Sequence, residues 1–119
     1  MSRRPAPLYL VYDGTALDGH VFRVVRSCPP TLVDFCSYEA LGRDYDRRDY
    51  FRALGVSMLT RPERAIELAR RFELGPAIAT LDLKVEHIVW TASGTSHHIT
   101  AWAPPGVFLA RVVQCERYG

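Results

Sequence analysis

GVSMLTRPERAIELARR, residues 55–71, joins a short apolar run to the clearest amphipathic segment of the chain. The apolar run, residues 55–59, predicts a strand. Thr60 and Glu63 have the spacing of a helix capping box, and Pro62 falls in the first turn, where a missing N–H costs little. Apolar side chains then recur at helical spacing on one face, at Ala65, Ile66, Ala69 and Phe72. The stretch therefore predicts a strand followed directly by a helix that Thr60 caps.

Two strands and a helix are predicted before this unit. The first strand is Leu8–Tyr12, which ends at a turn, and the second is Val21–Val25, with Arg23 as its one interior charge. A helix capped by Thr31 is expected to continue to about residue 41. Residues 43–50 are strongly charged and predict a short helix or a solvated loop.

Strands dominate the chain after the helix. Turn residues separate four further apolar runs, which are Ala77–Leu83, Val85–Trp90, His98–Trp102 and Val107–Val113. Helices that come early and strands that come late predict an α+β fold, with a mostly antiparallel sheet and two or three helices. We expect a flexible lead-in over residues 1–7 and a single domain over residues 8–119.

The composition is that of one folded domain. The chain has 119 residues, of which 48% are hydrophobic and 24% charged, and its formal net charge is +2. This excess is too small to indicate a broad nucleic-acid surface, and no apolar run approaches the roughly 20 residues of a membrane span. Residues 1–7 lack the apolar core of a signal peptide. We expect a cytoplasmic protein without membrane contact.

The three cysteines, Cys28, Cys36 and Cys115, are odd in number and have no CxxC spacing. This pattern predicts neither a disulfide framework nor a zinc site. A Cys–His nucleophile pair stays open, because such partners need to be near each other only in space.

Arg23 is the first candidate for a binding residue. A charge inside a strand of β-branched residues is costly unless the charge is paired or faces a cleft. There, the guanidinium would hold a phosphate or carboxylate through two parallel hydrogen bonds. The alternative is that Arg23 lies on the solvent face of the strand, which the alternation of side chains allows.

The junction between the strand and the helix at residues 57–60 is the second candidate. It combines two hydroxyls, Ser57 and Thr60, with the free backbone N–H groups of a helix start, which suit an anion. The alternative is that Ser57 is a small strand residue and Thr60 only a cap.

Two late strands carry further candidates. His98, Thr100 and Trp102 share one face, where a histidine, a hydroxyl and an indole would stack on a ring and bond to a ribose; they could equally be ordinary half-buried strand residues. Glu116 ends the last strand on the same face as Gln114. Its carboxylate would stabilise a developing positive charge or accept a hydroxyl proton, unless it lies in a frayed chain end.

The chain contains, in order, FRVV with Arg23, then GVSMLTRPERAIELARR, then QCE. This order of segments resembles the ADP-ribosyltransferase-like superfamily. FRVVR also looks like the opening of the RES-domain toxins, a branch of that superfamily. The resemblance covers most of the chain. In this family an Arg on an early strand, a Ser-containing strand before a helix and a Glu on a late strand surround NAD.

The resemblance implies a role for each matching residue. Arg23 would contact the phosphates or ribose of NAD, which is the substrate, and Ser57 would support the nicotinamide side. Glu116 would bind a ribose hydroxyl and favour the cationic sugar as nicotinamide leaves. Some relatives use His in the Arg or Glu roles, which makes His98 a competing catalytic candidate. Met58 stands where the family has a Thr after this Ser.

The expected function is that of a small NAD-dependent ADP-ribosyltransferase or NAD glycohydrolase, as in the toxin of a toxin–antitoxin pair. Its partners would be a nucleotide, with a protein target or an antitoxin. The first alternative is an inactive relative of the same fold that binds a ligand or a protein. A second is an interaction domain that uses the aromatic residues Tyr45, Tyr50 and Trp90.

Overall fold

The structure, a computed structural model, describes residues 12–13, 19–43, 53–84, 86, 88–92 and 97–118. The strands are β1 Tyr12–Asp13, β2 His20–Val25, β3 Val56–Leu59, β4 Ala77–Asp82, β5 Val89–Ala92, β6 His98–Trp102 and β7 Val112–Arg117. The helical segments are a 3-10 helix at Leu32–Phe35, α1 Tyr38–Leu41, α2 Pro62–Phe72 and α3 Pro105–Ala110.

The described strands form one sheet in the order β1-β5-β6-β3-β2-β4-β7. Every neighbouring pair is antiparallel. The prediction of an α+β fold with a mostly antiparallel sheet is therefore confirmed. α2, which connects β3 to β4, packs against β2, β3 and β4, whereas the 3-10 helix and α3 pack against each other.

Helices cover both faces of the sheet, and each covered face has its own apolar cluster. The larger cluster contains Val21, Val25, Met58, Ala79 and Ile99 of the sheet, with Phe35 and Phe108 of the 3-10 helix and α3. The rings of Phe35 and Phe108 are fully buried, with centroids 6.2 Å apart. Each such ring stabilises the fold by roughly 2–3 kcal/mol. The smaller cluster, beneath α2, is built around Leu59, Ala65 and Ile78.

The sheet has a weak seam between β2 and β3. These two strands are joined by a single register pair, Phe22 with Leu59. In contrast, β2 and β4 share six pairs, and β3 and β6 share four. β2 and β3 therefore separate beyond this one pair and leave an opening in the middle of the sheet, which we call the β2–β3 seam.

The strand–helix unit forms as predicted, but its cap was predicted wrongly. The N-cap of α2 is Arg61, with Pro62 as the first helical residue, and no capping box forms with Thr60. The backbone N–H of Thr60 instead donates to the carbonyl of His97, at 2.9 Å. Pairing with the segment that leads into β6 holds Thr60 in the sheet, so the helix starts one residue later.

The single helix predicted from Thr31 to about residue 41 is divided into the 3-10 helix and α1. Thr31 is the N-cap of the 3-10 helix, as expected. The chain then extends at Cys36, and the hydroxyl of Ser37 accepts the N–H of Ala40 at the start of α1. Serine caps a new helix well. Gly42 ends α1 in the left-handed region, at φ 71°.

The strand predicted at 107–113 is wrong, because residues 105–110 form α3. Pro104 is its N-cap and Pro105 its first residue, a position that proline tolerates well because its missing N–H is not needed there. The final strand begins only at Val112. The apolar run predicts a strand, but Pro104 and Pro105, just before it, are equally typical of a helix start.

Other expected elements lie partly outside the described residues. Leu8–Tyr12 is described only at Tyr12, which pairs with Trp90, and the charged segment 43–50 only at Arg43. The strand expected at 85–90 is observed at 89–92 as β5. Among the described residues, no helix is long and apolar enough to cross a membrane.

Candidate functional site

A cleft with a volume of about 360 Å³ opens at the β2–β3 seam. Residues from both faces of the sheet line it, because the strands separate there. The lining residues come from β2, the 3-10 helix and α1, from β3 and β6, and from the C-terminal part of α2. The polar side chains among the lining residues include Arg23, Arg26, Tyr38, Arg43, Ser57 and His98.

Arg23 is one of the residues that line this cleft. Its side chain is on the same face as those of its neighbours Val21 and Val25, which are each 1% exposed. Its Nε donates to the carbonyl of Asp34 at 3.0 Å, and its Nη1 donates to the carbonyl of Ser57 at 2.9 Å. The alternative in which Arg23 faces solvent is therefore wrong. The guanidinium bridges the seam where ladder hydrogen bonds are missing.

The electrostatic state of Arg23 follows from this position. Burial lowers the pKa of its guanidinium from the ordinary value, and the nearby Tyr38 and Asp34 partly offset that effect. Its two hydrogen bonds end on neutral carbonyl oxygens. Among the described residues, no carboxylate forms an ion pair with it. A half-buried guanidinium that is bonded to carbonyls keeps its charge available to an anionic ligand.

Asp34 is the one carboxylate in the described lining of the cleft, and its oxygens are hydrogen-bonded within the loop after β2. Its oxygens accept from the N–H of Arg26 at 2.8 Å, the N–H of Thr31 at 3.0 Å and the hydroxyl of Ser27 at 3.4 Å. The side chain is 7% exposed. Asp34 thereby fixes the loop after β2, and its own carbonyl orients Arg23.

Ser57 contributes to the site through its backbone as well as its side chain. Its carbonyl receives the Arg23 guanidinium, and its exposed side chain lines the cleft. The junction predicted at 57–60 is less open than expected, because the Thr60 N–H is bonded to the carbonyl of His97. The Thr60 hydroxyl also lies 3.5 Å from Nδ1 of the His97 ring.

The three predicted residues of β6 occupy different depths. His98, opposite Leu59, lines the cleft and is partly exposed. Thr100 lies opposite Ser57 but is only 2% exposed. Trp102 is half-buried, and its indole approaches the backbone of Gly55 so closely that an added Cβ would lie 3.0 Å from the ring. Neither Thr100 nor Trp102 is among the described residues that line the cleft.

Glu116 lies away from the cleft. It is exposed on β7, opposite Ile78 of β4, and β4 separates β7 from β2. Ile78 in turn lies opposite Val24, so Glu116 shares a sheet face with His98 and not with Arg23, but it lies on β7, two strands away from β2. Arg23, Ser57 and His98 line the cleft, whereas Glu116 does not.

Two exposed arginines of the cleft were not predicted from the sequence. Arg26 follows β2 and Arg43 follows α1, and both line the cleft near Arg23. The guanidinium of Arg43 lies 6.0 Å from the centre of the Tyr38 ring, which is 51% exposed. Both arginines lie in connecting segments without a periodic pattern, so no local signal in the sequence distinguishes them.

The described residues contain no group of three or more His, Cys, Asp or Glu side chains that would hold a metal ion. Comparison with known proteins gave no relative: no family model, no curated protein and no solved structure matches this chain.

Proposed function

We propose that the cleft at the β2–β3 seam binds NAD and that the protein is a small ADP-ribosyltransferase-like protein. One observation carries the proposal. Arg23 and Ser57 are 34 positions apart in sequence, but the Arg23 guanidinium donates to the Ser57 carbonyl across the seam, and both residues line the cleft. They are the early arginine and the Ser-containing strand that the resemblance expects around NAD.

The charge of the cleft supports a ligand with phosphate groups. Arg23, Arg26 and Arg43 contribute three guanidiniums, whereas the single carboxylate of the described lining, Asp34, is already hydrogen-bonded within its loop. Guanidiniums recognise phosphate through paired charge-assisted hydrogen bonds. The pyrophosphate of NAD would lie between these arginines.

The shape of the cleft also supports a nucleotide. Its volume of about 360 Å³ lies within the range of roughly 300–1,000 Å³ typical of small-molecule sites. Tyr38 is exposed beside Arg43, and Phe72, which is 58% exposed, also lines the cleft. Exposed aromatic faces of this kind offer stacking surfaces for the bases of a dinucleotide.

The reaction that we propose is release of nicotinamide from NAD, followed by transfer of ADP-ribose to a protein target or to water. Of the two predicted catalytic residues, His98 lines the cleft and Glu116 does not. We therefore assign the proton-transfer role to His98, because imidazole exchanges protons near neutral pH. Glu116 receives no role in this arrangement.

The position of Glu116 favours one second candidate, a protein of this fold that binds NAD without cleaving it. The resemblance assigns to that carboxylate the support of the cationic sugar as nicotinamide leaves. A cleft that keeps its arginines but lacks the carboxylate would bind the dinucleotide and stop there. Toxin activity and an antitoxin partner belong to the first candidate only.

Calorimetry with NAD tests the binding claim. Arg26→Ala and Arg43→Ala are the informative variants, because both side chains are exposed and their removal spares the core. We expect each to weaken binding by about tenfold, equivalent to one lost charge-assisted hydrogen bond of about 1.4 kcal/mol. Arg117→Ala, an exposed arginine on β7 outside the cleft, is the matched control and should bind as the wild type does.

Chromatographic detection of free nicotinamide separates the two candidates. Release that disappears in His98→Gln but persists in Glu116→Gln would support the transferase or glycohydrolase with His98 as its proton-transfer residue. Binding without release would support the binding protein. Absence of binding at millimolar NAD, with the chain folded, would rule out both.

A further inference from the structure

Cys28 and Cys115 are far apart in sequence but close together in the fold. Cys28 lies in the loop after β2, and Cys115 lies on β7 opposite Ala79. Ala79 lies opposite Arg23, so Cys115 is on the sheet face over which the loop passes. Both cysteines pack, partly buried, against the larger apolar cluster.

The fold brings the Cys115 thiol to the backbone next to Cys28. The thiol of Cys115 lies 3.8 Å from the carbonyl oxygen of Ser27, the residue before Cys28. All three cysteines are free thiols in this structure. Cys36 lies elsewhere, with its thiol directed to the carbonyl of Leu32.

We propose that Cys28 and Cys115 are a thiol pair that closes to an intramolecular disulfide when the protein meets a hydroperoxide. One thiol attacks the peroxide, becomes a sulfenic acid and releases water. The second thiol then attacks the sulfenic sulfur, its proton leaves with the hydroxyl as a second water, and the S–S bond forms. Two thiols and one hydrogen peroxide thus give one disulfide and two waters.

Burial affects the reactivity of Cys115. Burial, together with the interaction with Cys28, raises the pKa of the Cys115 thiol to about 12. Because the thiolate is the form that attacks a peroxide, Cys115 is a poor nucleophile at neutral pH. Disulfide formation therefore relies on the proximity of the two cysteines in the fold.

The disulfide would fix one wall of the cleft. The loop after β2 carries Arg26 and Asp34, and the carbonyl of Asp34 holds the Arg23 guanidinium. Linking Cys28 to β7 would hold this loop against the sheet. An effect of oxidation on NAD affinity rests on the proposed function, whereas formation of the disulfide itself does not.

The experiment treats the folded protein with stoichiometric hydrogen peroxide, unfolds it in urea, alkylates the remaining thiols and measures the intact mass. Of the three cysteines, we expect one to be alkylated in the oxidised wild type, and a peptide map should join Cys28 to Cys115. Cys36→Ser is the matched control and should form the same crosslink. Cys28→Ser and Cys115→Ser should each form no intramolecular disulfide. The crosslinked protein should melt at least about 5 °C higher than the reduced one, because the bond closes a long loop.

A crosslink that involves Cys36, a disulfide between two chains, or three alkylatable thiols after oxidation would each overturn the proposal. Oxidation of the urea-unfolded chain distinguishes two thiols held together by the fold from thiols that meet only by chance. The Cys28–Cys115 bond should form at least tenfold faster in the folded protein, and equal rates would show that the fold does not prepare the pair. Oxidation without NAD binding would leave the thiol pair established and remove only its link to the proposed function.

Discussion

The substitution Arg23→Met tests whether the guanidinium holds the β2–β3 seam. Methionine keeps the length and apolar character of the side chain but loses both hydrogen bonds, to the carbonyls of Asp34 and Ser57. Hydrogen bonds from a charged donor contribute about 1.5 kcal/mol each at the lower end of their range. Removing a desolvated charge returns about 1 kcal/mol. We therefore expect the free energy of unfolding to fall by about 2 kcal/mol.

For a chain of 119 residues this loss is readily measured. At about 2.1 cal/mol/K of unfolding entropy per residue, the entropy at the midpoint is about 0.25 kcal/mol/K, and Tm should fall by about 8 °C. Calorimetry and urea unfolding provide the assay, and hydrogen exchange should accelerate at Phe22 and Leu59, the one pair that joins β2 to β3. Arg117→Met, exposed on β7, should stay within about 0.5 kcal/mol of the wild type. A Tm for Arg23→Met within about 2 °C of the wild type would refute the role of Arg23 in the seam.

Three further predictions concern other parts of the site. Asp34→Asn should lower the free energy of unfolding by about 2 kcal/mol in urea, because an amide cannot accept all the hydrogen bonds that the carboxylate accepts from its loop; a change below about 0.5 kcal/mol would contradict this anchoring role. Gly55→Ala should destabilise the protein by about 1–3 kcal/mol, since the new Cβ would lie 2.5 Å from Cγ2 of Thr100, and an unchanged Tm would show that this packing yields easily. At pH 8, Cys115 should react with iodoacetamide about 1,000-fold more slowly than a thiol with the ordinary pKa of 9.0, because its pKa is about 12; equal labelling of Cys115 and Cys36 in a peptide map would contradict that value.

Local sequence patterns predicted the parts of the fold that have a clear period. The strand at Val21–Val25 and the helix after Leu59 each present one apolar face, and the structure has both. Predictions failed where two signals competed. Thr60 is a residue type that favours helix caps, but its N–H is bonded to the carbonyl of His97. The apolar run after Pro105 forms α3 because proline suits a helix start.

The candidate site was predicted in part. Arg23 stood out as the one charge within an apolar strand, and Ser57 and His98 were singled out by their positions on strands; all three line the cleft. The separation of β2 from β3, which creates the cleft, depends on long-range pairing that no local pattern encodes. Glu116 lies at a strand end as predicted, but the strand order places it two strands away from Arg23.

NAD titration monitored by NMR tests the central claim most directly. Backbone amide shifts report the location of a ligand without requiring turnover or a variant. We predict that the largest changes on addition of NAD occur at Arg23, Ser57 and His98, the residues that the fold brings together at the seam. Shifts centred on Glu116 and the rest of β7, or no shifts at millimolar NAD, would contradict the assignment of this cleft as the NAD site.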